Sequence, residues 1–439
     1  MSETLLSVGI DIGTSGTKTI LVDDEGRVAA AKTVEYPLET PKPGWTQQNP
    51  ADWWQAAAES IRAVLEKSKV PGDQIAGVGF SGQMHGMVAL DEAGEVVRPA
   101  ILWNDQRTER QCEEITETAG GLPGLLSYTN NRMLTGFTGG KILWMKEEEP
   151  ENFARIAKIM LPKDYLAYRL SGSFCTDYSD ASGMLLLDVK NRKWSEEMLA
   201  ICGISQEQLP RLYESYEVVG TLFPKVAEEL GLSSEVKVIA GAGDNAAAAV
   251  GTGTVGDGAC NISLGTSGTI FISSDQFGVD EKNALHSFAH ANGKYHLMGC
   301  MLSAASCNKW WMDEILQEKD YVAAQKDIKT LGQNHVYFLP YLMGERSPHN
   351  DPLARACFMG MTMDTGRADM IQAVFEGVAF AMRDSLEVAR SQGIDIKRTK
   401  ICGGGAKSPL WCKIMANVLN LQVDLLEVEE GPALGGAML

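Results

Sequence analysis

A chain of 439 residues is too long for one ordinary hydrophobic core, so two or three domains are expected, and 44% hydrophobic with 22% charged residues is usual for a soluble globular protein. The formal net charge of −18 excludes sequence-independent binding to nucleic acid or anionic membrane, which needs basic surface, but not an anionic substrate, since a local field can oppose the global one. The nine cysteines are odd in number, scattered and without a C-x-x-C pair, which suits small buried hydrophobes in a reducing compartment rather than a disulfide frame or zinc site. Met1-Ser-Glu-Thr lacks a basic region and no long apolar segment follows, so neither a signal peptide nor a membrane span is expected and a cytoplasmic enzyme is the default.

The first elements alternate strand and turn. Leu5 to Asp11 reads as a strand, Gly13-Thr14-Ser15-Gly16 as a turn, Thr17 to Val22 as the partner strand and Asp23 to Gly26 as the next turn. Glycines let backbone N–H groups approach an anion, and Thr14, Ser15 and Lys18 add side-chain donors suited to phosphate oxygens. Gly13-x-x-x-x-Lys18 is not a P-loop, because the second glycine before the lysine is missing. Asn49-Pro50 then opens a helix whose Trp53, Trp54, Ala57, Ile61, Val64 and Leu65 form an apolar face. A buried strand, Ile75 to Phe80, runs into Ser81-Gly-Gln83-Met84-His85-Gly86, which places polar side chains at a strand end, where ligands bind in open α/β sheets. Trp103-Asn-Asp105 forms a second polar cluster between a strand and a charged helix. Lys141 to Glu149 reads as helix with Pro150 as its stop, Pro162-Lys-Asp164 opens another helix, and Ser179 to Ser182 reads as a polar turn; spacing assigns no chemistry to the last two.

Val236 to Ala240 reads as a buried strand, followed by Gly241-Ala-Gly243 and an alanine-rich helix with Asp244 at or near its N-cap. Asp244 is therefore either a cap or a base facing a hydroxyl. Gly241-x-Gly243-x-x-Ala246 also matches a loose dinucleotide fingerprint, but an acidic side chain directly after the second glycine opposes a pyrophosphate at the helix N-terminus. Ile12-Gly-Thr-Ser-Gly-Thr17 recurs as Leu264-Gly-Thr-Ser-Gly-Thr269, which suggests two related domains facing one another across a cleft. Ser263 replaces Asp11 in the second copy, so Asp11 alone is a candidate for holding a hydrated metal ion. His286 and His290 lie on a strand that leads into an Asn292-Gly293 hairpin turn rather than on a helix, with no Glu general base between them, which disfavours zinc. Arg367 to Arg390 reads as a core helix. Thr399 to Cys402 is a strand running into Gly403-Gly404-Gly405, a turn that permits close approach of a flat nucleoside before a helix at Ser408-Pro409.

These motifs, with Leu102-Trp-Asn-Asp, Met301-Leu-Ser-Ala-Ala-Ser and Gly344-Glu-Arg-Ser-Pro-His, resemble the FGGY family of carbohydrate kinases, in order and over nearly the whole chain. The resemblance implies an α/β fold of two ribonuclease-H-like domains of the actin, hexokinase and Hsp70 ATPase superfamily, flanking a cleft that binds sugar and MgATP. It implies an N-terminal sugar-binding domain over 1–245 and a C-terminal nucleotide-binding domain over 246–439. It further implies phosphoryl transfer from ATP, with Mg²⁺, to a sugar, D-xylulose before ribulose, gluconate or other polyols. Residue by residue, it implies Asp244 as catalytic base; Met84, His85, Trp103, Asp105 and Asn245 as sugar contacts; Gly13, Thr14, Ser15, Lys18, Gly265, Thr266, Gly404 and Gly405 as nucleotide contacts; and Asp11 on the metal side. Against family members the chain looks shortened, ending at Leu439 within a nascent helix that has no C-cap signal, and an apolar surface left uncovered there would favour association, for example as a homodimer. A non-catalytic ATP-gated scaffold needs no hydroxyl-directed base. A nicotinamide dehydrogenase rests only on Gly241-x-Gly243 and lacks the matching acidic residue downstream.

Overall fold

The computed structural model describes residues 5–426 and 431–439; the tetrapeptide Met1–Thr4, on which the absence of a basic leader was read, lies outside them. The chain forms two compact units, Met1–Gly253 with Phe288–Lys294 and Glu430–Leu439, and Thr254–Ser287 with Tyr295–Glu429. This division differs from a linear boundary at 245. The alanine-rich helix continues beyond it within the first unit, and the last helix of the chain packs there too.

The first unit is built on strands β1 (Leu6–Ile12), β2 (Gly16–Asp23), β3 (Val28–Glu35), β4 (Ile75–Gly82), β5 (Val218–Thr221), β6 (Lys237–Ile239) and β7 (Ala242–Gly243). Their order is β5-β6-β4-β1-β2-β3, with β7 paired to β4. β1 runs antiparallel to β2 and parallel to β4, so the glycine-rich tip at 13–16 lies beside the carboxyl end of β4. Helix α1 (Pro50–Ser68) starts at Asn49, whose side chain accepts from the Ala51 N–H, and buries Trp53, Ala57, Ile61 and Val64, as its 3.6-residue periodicity requires. Pro150 does not end a helix in isolation: it is the first residue of a further short helix, Pro150–Ala154, because proline's missing N–H is harmless at that position.

The second unit repeats the plan. β8 (Cys260–Leu264) and β9 (Gly268–Ser274) form an antiparallel hairpin around the second glycine tip, and β8 runs parallel to β12 (Arg398–Cys402). With β10 (His286–Ala289), β11 (Tyr295–Met301) and β13 (Gln422–Leu425), the sheet order is β10-β11-β9-β8-β12-β13. The expected Asn-Gly turn follows β10, with Gly293 at φ 83°. The core helix spans Arg367–Ser391.

Two small-residue helices in the first unit set how tightly it packs. α2 (Asp244–Gly251) lies against α3 (Gly431–Met438), and α3 also rests on β1 and β4. A Cβ on Gly435 would stand 1.8 Å from the Ala247 carbonyl, one on Gly79 1.8 Å from that of Gly436, and one on Gly9 2.1 Å from that of Ala433. Two turns of helix are marginal alone; here backbone-to-backbone packing holds them. Gly435→Ala is therefore expected to lower unfolding free energy by at least about 1–3 kcal/mol through overpacking. Gly278→Ala, whose nearest neighbour would be 3.9 Å away, is the neutral comparison in a denaturant titration.

Candidate active site

Register alone brings the first group together. Ile12 lies opposite Gly82 in the β1–β4 pair, and Gly82 lies opposite Gly243 in the β4–β7 pair. The residues at these adjoining strand ends are therefore Asp11, Gln83 and Asp244. The same pairing sets Ser81 beside Asp11, and the Ser81 hydroxyl donates to Asp11 Oδ1 at 2.8 Å. Lys18 faces Asp11 across the antiparallel pair.

Asp244 is the first residue of α2 and not its cap. The cap position belongs to Gly243, which offers no side chain. The carboxylate instead accepts from the backbone N–H of Asn245 (2.7 Å) and from Asn245 Nδ2 (3.0 Å), both through Oδ1. Burial, reinforced by the Asp11 charge and opposed by the Asn245 hydrogen bond, pushes its pKa up to about 7. Burial also raises Asp11, against the Ser81 hydrogen bond and the charge of Lys18. A carboxyl that titrates near neutrality at a strand-to-helix corner suits proton transfer.

Met84 and His85 follow β4 directly. Met84 is buried, and Asn245 Nδ2 reaches its Sδ at 3.7 Å. His85 has φ 69°, a left-handed conformation uncommon for a side-chain-bearing residue and one that costs of order 1–3 kcal/mol unless its surroundings enforce it. Those surroundings are Lys141 Nζ (2.7 Å) and Thr138 Oγ1 (3.1 Å), both donating to the His85 carbonyl; Lys141 also donates to the Gly136 carbonyl. Lys141 is fully buried, and desolvation pulls its pKa down to about 7, against the raising effect of Asp105. The ring is fixed as well: Nδ1 lies 3.0 Å from the Gly183 carbonyl, which can only accept, so Nδ1 carries a proton and, in the neutral ring, Nε2 is the acceptor. Gly183 must be glycine, since a Cβ there would lie 2.3 Å from that ring.

Trp103 is about half exposed and donates from Nε1 to Thr14 Oγ1 at 2.9 Å; Thr14 in turn donates to Gln83 Oε1 at 3.2 Å, and Gln48 Nε2 donates to the Thr14 carbonyl. The first glycine tip is thus tied through Thr14 to residues expected around the sugar. Asp105 is fully buried, with Oδ1 and Oδ2 occupied by Arg107 and Oδ2 also accepting the Thr46 N–H, so it fixes the turn after Trp103. Ser15 is exposed at the tip, and Gly13 donates its N–H to the Gly16 carbonyl.

In the second unit, the two segments expected to meet nucleotide adjoin one another. A Cβ on Gly403, at φ 85°, would come within 2.8 Å of the Leu264 carbonyl, and one on Gly405 within 2.8 Å of Leu264 Cβ, whereas one on Gly404 would meet nothing within 4 Å. Gly265 and Thr266 turn their carbonyls onto the start of the helix Ala305–Trp310, accepting from the N–H groups of Ala305 (2.8 Å) and Ala304 (3.0 Å). Thr266 itself is exposed.

Gln48, Ser81 and Lys141 were not singled out by sequence reasoning, because each acts through a partner some 35 to 70 residues away or on a backbone carbonyl. The polar segment 179–182 is no surface turn: it lies within a one-turn helix, Tyr178–Ser182, whose last four residues are buried. Among the described residues no group of three or more His, Cys, Asp and Glu is arranged to hold a metal ion, and no helix is long and apolar enough to cross a membrane.

Duplicated hairpin tips on two α/β units, with an acidic side chain at the strand ends of the first, match the two-domain fold that the resemblance to carbohydrate kinases implies. Comparison with known proteins agrees. The N-terminal domain of the FGGY family of carbohydrate kinases matches residues 6–251 and its C-terminal domain residues 260–439. The chain belongs to that family. It is 42% identical to a xylulose kinase of Escherichia coli over 98% of this chain and 89% of that protein, and 40% identical to one of Bacillus subtilis over 98% and 87%. Among solved structures it is similar to a xyloylose kinase from Brucella ovis, with a TM-score of 0.93 and 40% identity, covering 98% of this chain and 89% of that one. It is also similar to a gluconate kinase from Lactobacillus acidophilus, with a TM-score of 0.92 and 27% identity, covering 99% and 88%.

Proposed function

We propose that this chain transfers the γ-phosphoryl group of ATP to O5 of D-xylulose, giving D-xylulose 5-phosphate and ADP. The supporting observation is identity, not shape. The fold likeness to a gluconate kinase is close to that to a xyloylose kinase, and a solved xylulose kinase is no more identical to this chain than the gluconate kinase, at 27%; the weight lies on the curated xylulose kinases, 42% to 33% identical over 98% of this chain.

Asp244 orients the O5 hydroxyl and takes its proton as the new bond to phosphorus forms, while the bond from the γ-phosphorus to the bridging oxygen breaks and ADP leaves. Met84, His85, Trp103 and Asn245 bind the sugar, with Nε2 of His85 accepting from a sugar hydroxyl; Asp105, expected as a further sugar contact, has its carboxylate taken up by Arg107 and the Thr46 N–H and holds the turn instead. Gly13, Thr14, Ser15 and Lys18 are the phosphate contacts of this reading, and Gly265, Thr266, Gly404 and Gly405 its nucleotide contacts. Asp11, a carboxylate with one oxygen on Ser81, would suit Mg²⁺ carried in by the nucleotide, an ion that keeps several waters and needs no all-protein cage. Bound there, Mg²⁺ supplies neutralisation of phosphate charge. None of the nine cysteines forms a disulfide, which fits a reducing cytoplasm.

The test is a coupled ADP-release assay over D-xylulose, ribulose, gluconate and glycerol. D-xylulose is expected to lead in kcat/KM by at least about tenfold, the low end of what pocket contacts discriminate. A lead by another acceptor reassigns the sugar, and ATP turnover unaffected by every acceptor rejects the kinase.

A further inference from the structure

Behind the loop that carries Asp244 lies a charged cluster with no solvent contact. Lys163, Asp177, Ser179 and Asp180 are all fully buried in the first unit. Lys163 Nζ donates to Asp164 Oδ1 (2.7 Å) and lies 2.9 Å from Asp177 Oδ1, with Asp180 Oδ2 at 3.7 Å. Such a cluster is costly to bury and is often no more stable than an apolar core of equal volume, so its presence calls for a use other than stability.

Its outward bonds supply one. Besides the Leu161 N–H held by Asp164 Oδ2, three of them lead to the segment 240–243. Lys163 Nζ donates to the Ala240 carbonyl at 3.3 Å. The Gly241 N–H donates to the Ser215 carbonyl at 2.9 Å, while the Ser215 hydroxyl donates to Asp177 Oδ2 at 2.7 Å. The Gly243 N–H donates to Ser179 Oγ at 3.2 Å, and that hydroxyl donates to the same Asp177 oxygen at 2.5 Å. Asp177 thus polarises two hydroxyl-bearing residues that grip the backbone immediately before Asp244, with Lys163 balancing its charge. Gly243 has no side chain to fix its own orientation, and its N–H is the last backbone donor before the reactive carboxylate.

We infer that Ser179, held by Asp177 and Lys163, is a positioning residue for Asp244: it fixes the Gly243 peptide and so the direction in which the carboxylate meets the acceptor hydroxyl. The role rests on Asp244 being the base. It places Ser179 outside contact with sugar or nucleotide, so its loss acts on the chemical step and not on binding.

Ser179→Ala removes one hydroxyl and adds nothing. Ser182→Ala, on the same buried helix, is the matched control: that hydroxyl donates to the Tyr178 carbonyl and accepts from the Ala289 N–H, without reaching the 240–243 segment. Ser179→Ala is expected to lower kcat at least about tenfold with KM for D-xylulose within about twofold, since small misplacements of a reacting group cost rate steeply. Ser182→Ala should leave kcat within about twofold of wild type. Wild-type kcat in Ser179→Ala, an equal fall in both variants, or a rise in KM at constant kcat overturns the assignment. Should Ser179→Ala fail to fold, Ser215→Ala, which strips one hydroxyl from Asp177 and keeps its own backbone contact, is expected to show the same loss confined to kcat, and unimpaired turnover there counts against it. Asp244→Asn assayed alongside separates the two ideas: full activity in it removes the base itself, whereas an inactive Asp244→Asn beside an unimpaired Ser179→Ala removes only the positioning role.

Discussion

Replacing Asp244 with asparagine is expected to lower kcat by at least about 10²-fold while leaving KM for D-xylulose close to its wild-type value, because the low end of general-base catalysis is of that size. The amide is isosteric with the carboxylate, and its oxygen can still accept the Asn245 N–H that now donates at 2.7 Å, so the α2 corner survives. What disappears is the ability to take a proton. Burial and the neighbouring Asp11 charge hold that carboxyl at about 7, close to the working pH, where a base combines adequate ionisation with adequate driving force. Steady-state ADP release from purified variant, with circular dichroism to verify folding, reads the outcome; near-native turnover removes Asp244 from the chemistry.

The second large effect is on stability. Lys163→Met is expected to cost about 3–5 kcal/mol of unfolding free energy, because removing one partner from a buried ionic group leaves its counter-charges uncompensated. Around Lys163 stand Asp164, Asp177 and Asp180, and the cation is the partner that all three share. Burial raises the pKa of Asp180 well above the usual carboxylate range, opposed by Lys163, and neither of its oxygens has a hydrogen-bond partner. Lys163 is itself raised well above its usual value, since the three carboxylates outweigh its own desolvation. A double-mutant cycle with Asp177→Asn should recover part of the loss, because one of the three carboxyl groups left without the shared cation is removed. Urea titration of the set provides the measurement, and a loss below about 1 kcal/mol in Lys163→Met, the size of an exposed ion pair, would mean the cluster is not acting as a buried unit.

Much of the frame was readable beforehand, for reasons particular residues make plain. Each hairpin tip sits between β-branched runs, so the strands before Gly13 and Gly265 announced themselves by composition, and the repeat of six residues announced that the second unit copies the first. The position of Asp244 was legible as a strand-to-helix corner, although its place as the first helical residue, one beyond the cap, depends on Gly243 adopting the extended conformation, which composition does not encode. The support of the site was far less visible. Lys163 and Asp177 are charged residues, which composition assigns to the surface, and only the fold sets them in one interior beside Ser179. The left-handed backbone of His85 could not be read from a histidine between a methionine and a glycine; it is imposed by Lys141, 56 residues later. Nor did the final helix advertise its partners, because the glycines that admit it, Gly9 and Gly79, lie in strands where period-two patterning hides a need for close approach.

The pH profile of kcat/KM for D-xylulose, recorded on the wild-type chain and on the residual activity of Asp244→Asn, tests the central claim most directly. The wild-type profile is expected to rise with pH and level off above an apparent pKa near 7, since only the ionised carboxylate accepts a proton, and that acid limb should vanish in the variant. An acid limb of the same shape and midpoint in both proteins would contradict it.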